Sequence, residues 1–286
     1  MVIYIKIFIG IAIVILFIFI FSLLVFLQYI RPTKFTTNVN PSDFNLKYES
    51  ISFKTKDNLI LRGWFIHSNY SNATIIVGHG FPFDKNNILP VTKFLNKHYN
   101  LLYYDFRYFG ESDGKITTIA YKEQDDFLQA IEYLKKRNNG SIGILGFSFS
   151  AANALLINSK DVKAIVSDSS FSNLYELMKK VYGIFPGFIK YPFIWITSFY
   201  AKIFFGINIF EISPEENVKS LKIPILFIHG TKDSQVPAEH SIILHKNAPN
   251  SELWLVEGAD HGMSFSMKKG EYEKRVMEFF DKYLLK

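Results

Sequence analysis

Along the chain, short apolar runs are closed by turns rich in glycine or acidic residues, and each run is followed by a mixed, helix-like stretch. Leu46 to Lys54 and Leu59 to His67 flank a Lys56-Asp57-Asn58 turn and predict a hairpin. Ala73 to Val77, Asn100 to Tyr104, Ser141 to Leu145 and Val162 to Val166 are compact apolar runs that predict buried strands. Ile223 to Ile228 and Leu253 to Val256 repeat the pattern near the end. Helices are expected over Asn86 to Lys97, from Ala151 to about Asn158, and over Ala238 to Lys246 and Tyr272 to Leu285. Ala120 to Arg137 carries acids early and bases late, which suits a helix dipole. Such alternation predicts an α/β fold, a mostly parallel sheet with helices on both faces.

Two stretches break the alternation. Ile3 to Leu27 is apolar apart from Lys6, Ser22 and the neutral Tyr4 and Gly10. Its uncharged part, Ile7 to Leu27, spans 21 residues and is long enough to cross a bilayer. A cleaved signal peptide has a shorter apolar region and a small-residue cleavage site. Here the run passes straight into Gln28-Tyr29-Ile30-Arg31-Pro32. An uncleaved anchor over residues 1–31 is therefore expected, then a polar linker over 32–46 and a domain over 47–286. Lys6 on one side faces Arg31 and Lys34 on the other, an asymmetry too small to set orientation; the expectation adopted is a domain outside the cytoplasm.

The second stretch is an insertion at about 171–215. Within it, 13 of the 40 residues from Phe171 to Phe210 are aromatic, about twice the 17% share of the whole chain. Gly183, Pro186, Gly187 and Pro192 predict several short helices there, forming a cap over the sheet edge and much of an acyl pocket. Pro192 to Phe210 is apolar enough for a second span, but Lys202 near its middle and the early proline argue against crossing. Lys179, Lys180, Lys190 and Lys202 would let this segment rest against a membrane surface.

Composition narrows the chemistry. Without cysteine there is no disulfide, no thiolate nucleophile and no cysteine-held metal. The formal charge is +6; setting aside Lys6 and Arg31 leaves 30 bases against 26 acids, or +4. That excess suits nearby anionic lipid. Nucleic acid is not an expected partner, because basic clusters interleaved with aromatics are missing from the sequence.

Candidate chemistry lies where the apolar runs end. Gly146-Phe147-Ser148-Phe149-Ser150 sits between a strand and a small-residue helix start, the setting of a nucleophile elbow. Serine at 150, where glycine is usual, is a departure. Downstream, Asp233 stands in the exit loop His229-Gly230-Thr231-Lys232-Asp233, and His261 in the exit loop Gly258-Ala259-Asp260-His261-Gly262. Open α/β sheets place their sites at these strand ends. A serine hydroxyl needs a base, imidazole serves near neutral pH, and a carboxylate fixes its tautomer. Oxyanion donors are expected from the Phe149 N–H and from Phe81, after His79-Gly80. Rivals remain at this stage: Ser150 as nucleophile, Asp168 or Asp260 as acid. His79 and His229 are expected to shape loops, and Asp105, Arg107 and Asp113 to fix one.

Taken together, GHGFP, YDFRYFGESDG, GFSFSAAN, HGTKDSQVP and GADHG make residues 47 to 286 resemble the α/β-hydrolase superfamily, near its serine aminopeptidase-like and monoacylglycerol-lipase-like branch. The resemblance implies an eight-stranded, largely parallel sheet, a Ser148–Asp233–His261 triad, an oxyanion hole at Phe81 and Phe149, and no cofactor or metal. Tyr108 departs from the family's usual glycine. The expected activity is hydrolysis of an ester or thioester with a hydrophobic acyl group, on a small-molecule or lipid-like substrate. Peptidase or amidase activity and an inactive binding protein are the alternatives; a dehalogenase would need a carboxylate at position 148.

Overall fold

The computed structural model describes residues 1–137 and 140–285. Eight strands form one sheet in the order β1-β2-β4-β3-β5-β6-β7-β8. They are β1 (Tyr48–Lys54), β2 (Ile60–Ile66), β3 (Thr74–Gly78), β4 (Asn100–Tyr104), β5 (Ile142–Phe147), β6 (Val162–Asp168), β7 (Ile225–Gly230) and β8 (Ser251–Val256). β1 pairs antiparallel with β2, and β2 with β4; every other pairing is parallel. The central strands β3 and β4 are buried along their whole length, as strands covered on both faces must be. β1, at the edge, is mostly solvent-facing.

The helices are α1 (Val2–Ile30), α2 (Lys85–Thr92), α3 (Glu123–Lys136), α4 (Phe149–Leu156), α5 (Leu174–Val181) and α6 (Lys190–Phe205), then α7 (Pro214–Asn217), α8 (Glu239–Asn247), α9 (Ser264–Met267) and α10 (Lys269–Leu284). Ile75, Val77, Leu101, Leu145 and Val166 point to one face of the sheet, against Leu89 of α2 and Val276 and Phe280 of α10. The alternate residues Ile76, Leu102, Ile144 and Ile165 are equally buried on the other face.

Three expected helices differ in length. Asn86 to Lys97 is α2 followed by a 3-10 turn over Lys93–Lys97, with Pro90 inside α2 removing one ladder donor. α3 starts at Glu123 rather than Ala120, because Ile119 and Ala120 take positive φ and the Glu123 carboxylate accepts from Thr117 and Thr118. The insertion is less fragmented than expected: α6 runs for 16 residues. Pro192 does not interrupt it, because it falls in the first turn, where no N–H has an intrahelical partner.

The chain divides into two compact units, Met1–Pro32 with Asn173–Ile212, and Thr33–Ser172 with Ser213–Lys286. The first contains α1, α5 and α6; the second contains the whole sheet.

Candidate active site

Ser148 separates β5 from α4 and takes φ 52° and ψ −108°, a conformation that L residues avoid. Its N–H donates to the Asp168 carbonyl at 2.7 Å. The turn is tight because strand and helix backbones almost touch: a Cβ on Gly146 would lie 2.6 Å from the Ala151 backbone. Ser150 is accommodated by a second glycine. A Cβ on Gly78, on the neighbouring strand, would meet the Ser150 Cβ at 2.5 Å. The Ser150 hydroxyl accepts from the Phe147 N–H at 2.8 Å and donates to the Phe147 carbonyl at 3.0 Å. It is fully buried and clips the elbow from beneath.

His261 Nε2 lies 3.0 Å from Ser148 Oγ, and His261 Nδ1 lies 2.7 Å from Asp233 Oδ2. The other Asp233 oxygen accepts from the N–H groups of Gln235 at 3.0 Å and Val236 at 2.7 Å. Burial alone would raise the Asp233 pKa, but hydrogen bonds from His229 and His261 outweigh it and hold the carboxyl well below its ordinary range. Asp233 thus stays ionised and orients the imidazole. This hydrogen-bonded run is the arrangement that serine acyl transfer requires.

The rivals are occupied elsewhere. Asp168 accepts from Ser169 Oγ at 2.9 Å and Tyr272 OH at 3.0 Å, and burial raises its pKa. Asp260 accepts from the backbone N–H of Ser234 at 2.8 Å and of His261 at 2.7 Å, so it shapes the histidine loop. His79 is fully buried; its Nδ1 meets the Gly80 carbonyl at 2.9 Å and its Nε2 accepts from the Phe106 N–H at 3.1 Å. Burial depresses its pKa, consistent with a neutral ring that braces the loop bearing Phe81.

Of the two residues expected to supply oxyanion donors, Phe149 opens α4, where an N–H lacks an intrahelical acceptor. Phe81 follows β3, and its ring centroid lies 6.3 Å from that of Phe149. Phe106 and Phe109 also pack on Phe149, at 5.4 and 6.1 Å. The loop after β4 is fixed by buried ion pairs. Lys85 Nζ meets Asp105 at 2.7 Å, and Arg107 meets Asp126 at 2.6 Å. Tyr108 takes φ 75°, a left-handed conformation that glycine adopts without strain. Asp113 holds the Ile60 N–H and the Arg62 guanidinium. No group of three or more His, Asp or Glu able to hold a metal ion occurs among the described residues.

Sequence reasoning gave one supporting residue in part and missed another. His229 shapes its exit loop as expected, with Nε2 2.7 Å from the Val236 carbonyl and 3.3 Å from Asp233 Oδ2, and beyond the loop its Nδ1 meets Ser241 Oγ at 2.6 Å. Phe147 packs its ring on His261, 5.3 Å between centroids. Added Cβ atoms on Gly80 and Gly262 would each meet that ring at 2.8 Å, so both glycines make room for it. The signal for Phe147 was available, a large ring between two loops that both carry glycine.

Comparison with known proteins follows the geometry. Residues 117–286 match the model of the prolyl oligopeptidase family, and residues 45–186 match that of X-Pro dipeptidyl-peptidase (S15 family). YqkD of Bacillus subtilis is 30% identical over 230 residues, covering 77% of this chain and 75% of that protein. YfhR of Escherichia coli K12 is 27% identical over 246 residues, 81% of this chain and 80% of the relative. Among solved structures, the Pyrococcus furiosus esterase Pf2001 superposes with a TM-score of 0.74 at 29% identity, covering 90% of this chain and 98% of that one.

Proposed function

The chain is a serine hydrolase of the α/β-hydrolase superfamily, belonging to the prolyl oligopeptidase family that its residues 117–286 match, and on that premise we propose that it is a membrane-anchored esterase or thioesterase for hydrophobic acyl groups. His261 removes the Ser148 proton as Oγ attacks the acyl carbonyl. The Phe149 and Phe81 N–H groups receive the developing oxyanion. The imidazolium, held by ionised Asp233, protonates the leaving alcohol or thiol, and the same ring then activates water to release the acid.

The observation carrying this reading is the Ser148–His261–Asp233 run of 3.0 and 2.7 Å, on a serine at φ 52°. Ester chemistry is favoured by the likeness to Pf2001, an esterase. A hydrophobic acyl group is favoured by the rings of Phe81, Phe106 and Phe109 around Phe149, and by exposed Phe83 and Met263, two residues beyond Phe81 and His261. Anchoring is favoured by α1, which is apolar, 29 residues long and almost wholly exposed. Amide hydrolysis is the second reading, favoured by the two peptidase family models.

A fluorophosphonate probe on the purified full chain tests the proposal. Labelling of wild type and Ser150→Ala but not of Ser148→Ala is expected, followed by faster turnover of acyl esters than of matched acyl amides. An unlabelled but folded wild type, in detergent and in lipid, would overturn the catalytic roles; faster amide turnover would overturn the ester assignment.

A further inference from the structure

The unit that contains α1 has a second helix with an unusual surface. α6 packs along α1: the Phe193 ring meets Phe17 at 6.2 Å and Phe21 at 5.5 Å, and the Phe26 ring meets Tyr200, Phe204 and Phe205 at 6.1, 6.1 and 5.7 Å. Polar bonds cross the same seam. Ser22 Oγ donates to the Phe193 carbonyl at 3.3 Å, Thr197 Oγ1 to the Ser22 carbonyl at 3.5 Å and Tyr200 OH to the Phe19 carbonyl at 3.1 Å. Hydroxyl-to-backbone bonds between apolar helices are a feature of packing in membranes.

The opposite side of α6 is bare. Trp195, Phe199 and Ile203 are 60%, 51% and 60% exposed, and their i, i+4, i+8 spacing sets them in one row. Phe188, just before α6, is 81% exposed.

Depth follows from the seam. Every α1 residue named in it, from Phe17 to Phe26, lies inside the uncharged run Ile7 to Leu27. A helix of 29 residues is about 44 Å long, some 14 Å more than a hydrocarbon core of about 30 Å. If α1 crosses, a helix beside Phe17–Phe26 lies between the inner part of one leaflet and its headgroups. α6, at about 24 Å, is too short to cross by itself. Lys202, exposed and level with Phe26 near the end of the uncharged run, sets its depth, because its stem carries the ammonium group outward to the headgroups.

We infer that α6 is a second membrane element: it lies in the leaflet at the C-terminal end of α1, with the Trp195–Phe199–Ile203 row against lipid. The bilayer is the occupant because the row continues the exposed apolar surface of a helix already read as spanning. This inference rests on the anchor reading above.

The absence of native cysteine makes the test direct. Single cysteines at Trp195, Phe199 and Ile203 are spin-labelled in the full chain in phosphatidylcholine–phosphatidylglycerol vesicles. Ile13→Cys in α1 is the lipid control, and Lys246→Cys on exposed α8 surface is the water control. The expected oxygen-to-nickel-chelate accessibility ratio at the three α6 sites is several-fold above that at 246 and at or below that at 13. Ratios at α6 equal to that at 246, with position 13 lipid-like, would overturn the inference and leave the anchor standing. Labels at α6 reached by neither reagent would mean a protein surface, such as a second copy, covers the row, and would overturn it too. A water-like ratio at position 13 would remove the anchor and the inference together.

Discussion

The two compact units obey opposite rules. In Thr33–Ser172 with Ser213–Lys286, charged groups are buried and paired: Lys85 with Asp105, Arg107 with Asp126, Asp233 with His261 and His229. In Met1–Pro32 with Asn173–Ile212, the interior is a stack of rings, Phe185 on Phe193 at 4.2 Å, and much of the surface is apolar. Directional bonds and glycine contacts fix atoms to within tenths of an ångström, as a proton transfer demands. Ring packing fixes surfaces more loosely. Changes around the site in the sheet unit should therefore appear in chemistry, and changes in the unit of α1 and α6 in stability.

Asp233→Asn offers the widest separation. Losing the carboxylate leaves the imidazole in the wrong tautomer, and kcat on an acyl ester is expected to fall by roughly 10,000-fold with the fold intact. A fall of less than ten-fold would remove Asp233 from the chemistry. The same variant carries a pH signature. Because the folded carboxyl is held below its ordinary value, its ionised form stabilises the native state above the unfolded pKa, near 4. That contribution disappears as pH falls through the lower folded value. The gap in Tm between wild type and Asp233→Asn should thus be full at about pH 6 and narrow steadily below about pH 4; a gap that widens in acid would contradict the assignment.

Gly78→Ala sharpens the comparison within the sheet unit. Its methyl meets Ser150 Cβ at 2.5 Å, and a loss of about 1–3 kcal/mol is expected in thermal denaturation. Adding Ser150→Gly should return part of that loss, because it removes the opposing carbon; strict additivity would show that the two do not compete for space.

Thr197→Val has the smallest expected effect. It removes a hydroxyl shared with Tyr182 and the Ser22 carbonyl, and about 0.6 kcal/mol should be lost in detergent unfolding, with ester turnover within two-fold of wild type. A change in turnover as large as that of Asp233→Asn would erase the division between the units.

What the sequence revealed follows the same division. Strands β3 to β7 announce themselves because buried parallel strands must be continuous apolar runs, and Ser148 and Asp233 each stand just beyond one; β8, at the edge, shows only the apolar end that leads to the His261 loop. The loop chemistry was legible for the same reason, since a turn at a strand end draws on few residue types. His229 was harder to read, because a histidine before glycine looks alike whether it braces a loop or a carboxylate. Tyr108 hinted at its positive φ only through the glycine that the family usually carries there. Least legible was the pairing of α1 with α6. Phe26 and Phe204 carry no mark of each other, and aromatic packing across such a distance leaves no periodic trace.

That pairing also sets an order of events during synthesis. Ser22 and Phe193, joined by a hydrogen bond, are 171 residues apart. At about 5–20 residues per second, α1 leaves the ribosome some 10–35 s before its partner exists. Over that interval the nascent chain must hold a lone apolar helix, with its seam of phenylalanines uncovered, while six of the eight strands and the elbow are made. The unit of α1 and α6 therefore cannot be completed until six strands have been made, while β7, β8 and the closing helix α10 are still to come.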